Sequence, residues 1–188
     1  MPNLNQDSLR SLISSGLVSN FENVNKQLTA NGFDVRVCAF VEVLKGGKLA
    51  INKENNVPPT LGRAFVLPGY ESRLNDYSVS EIITTENFVD LLQGRPYFVV
   101  TCEEVNIPDN IMLTLAHRTS LFRFTQSIMG FGFGEAGYKG YLTFMLIPSL
   151  DCSVQLGSRV AQMSFSLLTG KADYSSQHEA NYQGGKLF

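Results

Sequence analysis

Two guanidiniums and two hydroxyls fall within six residues at Arg118, Thr119, Ser120 and Arg123. Arginine forks and hydroxyls suit phosphate oxygens, because charge-assisted hydrogen bonds to phosphate are strong and directional. A helix opening at this point would add free N–H groups to an anion site. A capped helix start with solvated arginines gives the same pattern. A second stretch, Gly130-Phe131-Gly132-Phe133-Gly134-Glu135-Ala136-Gly137-Tyr138-Lys139-Gly140, holds five glycines in eleven residues. Bare backbone of this kind lets a flat ligand approach closely. Glu135 is its one acid and Tyr138 offers an aromatic face, although a glycine-rich hairpin with an exposed Glu fits equally. A third stretch, Gly157-Ser158-Arg159-Val160-Ala161-Gln162-Met163, opens an apolar run. Its Gln162 calls for a polar partner, or for nothing more than an edge strand. The sequence holds no P-loop, GxSxG, HExxH or GxGxxG after a strand. His117 and His178 are too far apart in sequence for a local metal site.

The elements that must hold these residues are mostly strands. Residues 33–43 alternate with period two, and 97–102, 111–115, 141–147 and 159–165 are further β-rich runs. Gly and Pro punctuate between them, at Gly46-Gly47, Pro58-Pro59, Pro68-Gly69, Pro108 and Pro148. A short first helix is expected, capped by Asp7 or Ser8. It carries Leu9, Leu12 and Ile13 on one face and closes at Gly16. A second short helix is expected over 86–93, closed by Gly94. The polar stretch 52–87 reads as an irregular surface insertion of low order or with a partner-facing role. Residues 174–188 read as a frayed tail or as a lid that orders over a ligand. The expectation is one mostly-β domain over 1–188, a distorted β-barrel or double-sheet sandwich with short helices.

Composition bounds the partners. Hydrophobic residues make up 44% and charged residues 17% of the 188 positions, so the chain is neither disordered nor a coiled coil. Fifteen basic against seventeen acidic residues leave a net charge of −2, with no overall field to attract nucleic acid. No apolar run approaches membrane-spanning length, and the N-terminus is not a signal peptide, so no membrane partner is expected. Cys38, Cys102 and Cys152 are odd in number and lie in apolar stretches. They read as buried free thiols in a reducing cytoplasm.

Taken in order, the motifs resemble those of the dUTPase / dCTP deaminase superfamily. Gly32-Phe33-Asp34-Val35-Arg36 resembles its first motif, and Arg118-Thr119-Ser120-Leu121 its second. Residues 132–140 resemble the third, G-x-I-D-x-x-Y-R-G, and residues 157–162 the fourth, G-x-R-(I/V)-(A/G)-Q. The early helix, the turn at 106–110 and the tail Glu179-Ala180-Asn181-Tyr182-Gln183-Gly184-Gly185 look more like the deaminase branch.

That resemblance implies a β-barrel or jelly-roll homotrimer with active sites between subunits. It implies a deoxynucleoside triphosphate, dUTP or dCTP, bound with Mg²⁺. Carried over, Arg118, Thr119, Ser120, Arg123 and Gln162 hold phosphates. Asp34 touches the hydrated metal or supports the site. Tyr138 packs on the deoxyribose, the backbone from Gly132 to Glu135 reads the pyrimidine, and Tyr182 and Gln183 belong to the closing tail. The place of the deaminase glutamate falls on Met145, in a strand with no acid. The place of the dUTPase aspartate falls on Glu135, seventeen residues after Arg118 as in the hydrolases. The leading expectation is therefore dUTP hydrolysis to dUMP and pyrophosphate, with Glu135 activating water. The alternatives are a dCTP deaminase, possibly bifunctional, and a catalytically inactive nucleotide-binding or structural trimer.

Overall fold

A computed structural model describes residues 2–177 and 182–188. The chain opens with helix α1, Gln6–Ser14. Its N-cap is Asn5, whose side-chain oxygen accepts from the Ser8 amide at 3.0 Å, so the cap lies two or three residues before the expected Asp7 or Ser8. Leu9 and Ile13 are buried as their spacing requires, each contributing about 1.5–3 kcal/mol by leaving water. Gly16 follows at φ +95°, a left-handed turn that costs glycine little.

Thirteen strands follow the helix. They are β1 (Val18–Ser19), β2 (Leu28–Thr29), β3 (Gly32–Lys45), β4 (Thr60–Val66), β5 (Glu81–Thr84) and β6 (Phe88–Leu91). Next come β7 (Tyr97–Asn106), β8 (Ile111–His117), β9 (Ser127–Met129) and β10 (Gly132–Gly134). The last are β11 (Lys139–Pro148), β12 (Cys152–Gln155) and β13 (Arg159–Leu167). Short helices α2 (Val24–Gln27) and α3 (Thr119–Thr125) interrupt them. The spine of the large sheet runs β10-β8-β13-β3-β7-β11-β9, with β1, β2, β4 and β5 added at its margins, while β12 and β6 pair apart. The sheet curls antiparallel into a half-barrel, the mostly-β class that the alternation predicts. Among the described residues, no helix is long and apolar enough to cross a membrane.

Three sequence expectations need correction. Residues 86–93 hold strand β6, not a helix, with Val89 and Leu91 inward and Phe88 and Asp90 outward. The stretch 52–87 is not a loose excursion, because it contains β4 and β5 and is bolted to the sheet. The Arg73 guanidinium lies 4.9 Å from the ring centres of both Tyr70 and Tyr141 and donates to Cys102 O and Glu104. Tyr77 and Thr143 share a hydrogen bond at 2.9 Å. The period-two alternation over 33–43 does not carry into burial along β3, because Phe33, Val35, Val37 and Phe40 join the main core while Cys38, Ala39 and Val41 join a second buried cluster. Of the thiols, Cys38 and Cys102 are buried and Cys152 is half-buried, all free.

Glu42 gives a pH prediction. Burial pushes its carboxyl up, but the Arg63 side chain and amide and the Arg95 guanidinium together pull it below the ordinary value. A depressed carboxyl adds stability that is present above the unfolded value, about pH 4.3, and lost as pH falls through the folded one. Glu42→Gln is therefore expected to be less stable than the parent at neutral pH. The gap in melting temperature should close as pH drops from about 4.5 toward 3. A gap that stays constant across that range rules this linkage out.

Candidate functional site

Strand register brings the first, second and fourth motifs side by side. Gln162 on β13 faces Asp34 on β3 on one side and Ala116 on β8 on the other. Arg118 sits two residues beyond Ala116, as the N-cap of α3, its amide bonded to Val160 O at 3.0 Å. Thr119 and Ser120 form the first turn of that helix, so a helix does open where the hydroxyls cluster. Arg123 lies on its exposed face.

Asp34 is the centre of this cluster. Its carboxylate is 3% exposed and receives Arg118 Nε at 2.8 Å and Arg159 Nη1 at 3.3 Å, both on the same oxygen. Burial raises the Asp34 carboxyl above its ordinary value, and the two guanidiniums offset part of that rise. Arg118 also donates to Arg159 O, and Arg159 to Lys26 O. Gln162 donates to the Thr29 hydroxyl at 2.7 Å. Arg118, Ser120, Ser158 and Arg159 line a cleft of about 340 Å³, whose far wall carries Phe88 and Phe124.

The third motif lies elsewhere. β10 pairs with β8 so that Gly134 faces Leu113, and Glu135 follows at the end of β8 away from Arg118. Six residues of strand at ~3.3 Å each separate the two ends, roughly 20 Å within one chain. Glu135, Tyr138, Met145 and Tyr182 share a cavity of about 600 Å³ with Phe98, Phe133 and Tyr141. Its lining is largely apolar, and among the described residues Glu135 is the only carboxylate in it. Glu135 is exposed and accepts from Gln177 Nε2 at 3.2 Å. Tyr138 is buried, donates to Tyr141 O at 2.6 Å and stacks edge-on against Tyr174. Burial pushes its phenol well above the ordinary tyrosine range. Met145, where the resemblance places a deaminase glutamate, is 43% exposed at the cavity wall.

The tail docks on its own chain. Gln183 accepts from the Lys139 amide at 2.9 Å and donates to Gly137 O at 3.0 Å. Gly140, at φ +136°, passes so close that any Cβ would meet Gly184 at 2.6 Å. Tyr182 N donates to the Tyr174 hydroxyl at 3.1 Å, and Phe188 packs edge-on against Phe98. His178, Glu179, Ala180 and Asn181 lie outside the described residues.

Both guanidiniums bond Asp34 Oδ2, which makes the carboxylate a support for Arg118 and Arg159. No group of three acidic, His or Cys side chains gathers among the described residues. Sequence reasoning missed Arg159, Gln177 and the Tyr141–Arg73 contact. Arg159 was visible as a cation inside the fourth motif, but the other two depend on long-range docking that no local pattern signals.

Residues 3–168 match the dCTP deaminase-like family. A dCTP deaminase from Thermococcus kodakarensis is 35% identical over 143 residues, covering 72% of this chain and 90% of that relative. A "dCTP deaminase, dUMP-forming" from a Sulfurihydrogenibium species is 26% identical over 119 residues, 62% of each chain. Among solved structures, the 2'-deoxycytidine 5'-triphosphate deaminase of Agrobacterium tumefaciens shares the fold, with a TM-score of 0.60 at 17% identity. That likeness covers 88% of this chain, which spans about half (48%) of the Agrobacterium protein. The four motifs and the curled sheet agree with these matches, and the chain belongs to the dCTP deaminase-like family.

Proposed function

We propose that this chain acts in pyrimidine deoxynucleotide metabolism as a dUTP diphosphatase assembled from more than one copy. The observation that carries this reading is a cavity in which Glu135 is the only carboxylate among the described residues and Met145 stands at the deaminase position. Deamination at C4 needs a group that takes and returns protons, and a thioether has no such chemistry. Hydrolysis needs one carboxylate to orient a water against the α-phosphorus, and Glu135 supplies one.

In this reading Arg118, Thr119, Ser120, Arg123 and Gln162 bind the phosphates. Tyr138 lies against the deoxyribose, and backbone from Gly132 to Glu135 meets the base. Tyr182 and Gln183 close the site. Water adds to the α-phosphorus, its proton passes to Glu135, and the α–β phosphoanhydride bond breaks to release pyrophosphate. A base must lie within about 3 Å of its water, yet the arginines sit roughly 20 Å from Glu135 in one chain. The phosphate cluster of one copy must therefore face the Glu135 cavity of another, which a homotrimer satisfies. Phosphate oxygens are suitable ligands for Mg²⁺ themselves, and no step is assigned to the ion.

The test offers dUTP and dCTP separately in Mg²⁺ buffer and separates the products by chromatography. dUMP and pyrophosphate are expected from dUTP, with dCTP unchanged. Formation of dUTP or dUMP from dCTP would instead establish the second reading, a deaminase, which the names of the relatives favour. Silence with both substrates overturns the enzyme readings.

A further inference from the structure

We infer that Gln177 is a positioning residue for Glu135, an inference that rests on the hydrolase reading above. Gln177 is held independently of Glu135. Asp173 caps the turn over 173–177, accepting from the amide and hydroxyl of Ser175 at 2.9 and 2.7 Å. Those bonds hold the Asp173 carboxyl below its ordinary value. The Tyr174 amide then donates to Ala136 O at 2.7 Å, and the Gln177 amide to Tyr174 O at 3.1 Å. The turn is thus tied to the residue next to Glu135, and its last side chain reaches the Glu135 carboxylate.

This contact addresses a specific difficulty. Glu135 is one methylene longer than an aspartate and stands exposed at the cavity mouth. A free glutamate samples several rotamers, and ordering it costs side-chain entropy. Small misplacements of a catalytic group cost rate steeply. The Gln177 amide engages one oxygen, Oε2, which leaves Oε1 to receive a water proton. Restraint by a residue from the C-terminal segment makes the longer acid usable.

The experiment measures dUTP turnover by the full chain and by Gln177→Met, Gln177→Glu and Gln177→Lys. Gln177→Met keeps length and removes the donor, and kcat is expected to fall about tenfold with KM within about twofold. Gln177→Glu sets two carboxylates together and should fall further, about a hundredfold. Gln177→Lys restores a donor and should recover to within about threefold of the parent. A purely structural role would not separate kcat from KM, nor respond to restoring a donor. Melting temperatures should stay within about 2 °C for this exposed turn. If the parent and Gln177→Met turn over alike, or Lys fails to restore what Met removes, the positioning role is wrong and the hydrolase reading stands. If the parent itself releases no pyrophosphate from dUTP, both fall together.

Discussion

Glu135→Ala is expected to lower dUTP hydrolysis about a hundredfold to ten-thousandfold while the nucleotide still binds. A positioned general base contributes roughly 10²–10⁴ in rate, and among the described residues no second carboxylate lines this cavity to take over. The side chain is exposed and its one side-chain bond is to Gln177, so its loss should move stability by no more than about 0.5 kcal/mol. In the proposed reading, binding rests on the distant cationic cluster and on the ring and backbone groups of residues 132–138. Calorimetric titration with a non-hydrolysable dUTP analogue should therefore give a Kd within a few-fold of the parent. Loss of rate at constant affinity is the signature of an interaction made in the transition state. Equal turnover by parent and variant would move the base elsewhere and remove Glu135 from the chemistry. A parallel loss of binding would make Glu135 a recognition group instead.

The site was legible where it is built from adjacent strands. Asp34 and Gln162 lie on β3 and β13, Arg118 directly follows β8, and antiparallel register brings the three strands together. The stretch 86–93 reads as a helix because the adjacent pairs Phe88-Val89 and Leu91-Leu92 blur a strand's alternation and Gly94 offers a helix stop, whereas only Val89 and Leu91 face inward. The insertion was misread for another reason. What secures residues 68–87 is Arg73 between two tyrosine rings and Tyr77 against Thr143, contacts spanning about seventy residues of chain. Polar composition suggests a loop when such partners cannot be seen. These contacts matter to the site, because Tyr141 and Thr143 also line the cavity that contains Glu135. The tail likewise showed its glycines but not the close packing of Gly140 on Gly184 that makes them necessary.

Asp34→Asn should lower phosphate affinity with only a modest loss of stability. The parent carboxylate is almost fully buried and is shared by Arg118 and Arg159. Removing one partner of a buried ion pair leaves charge uncompensated, at a cost of about 3–5 kcal/mol. Here the two arginines are 26% and 37% exposed and can be rehydrated, and burial already holds the Asp34 carboxyl above its ordinary value, so the cost is at most about 1 kcal/mol. For a chain of this length that corresponds to a fall of no more than about 2–4 °C in melting temperature. The functional loss has the same origin. Arg118 caps α3 with its Nε fixed on Asp34, which aims the rest of the fork at the cleft beside Ser120. Without that anchor the guanidinium gains rotamers, and KM for dUTP should rise about tenfold with a smaller change in kcat. Magnesium distinguishes this account from a metal-ligand role. A weakened metal site is repaired by mass action, so raising Mg²⁺ would restore the variant if Asp34 held the hydrated ion. An arginine that has lost its anchor is not repaired by a cation. KM should therefore stay high at every Mg²⁺ concentration that saturates the parent, and recovery on adding Mg²⁺ would return Asp34 to the metal.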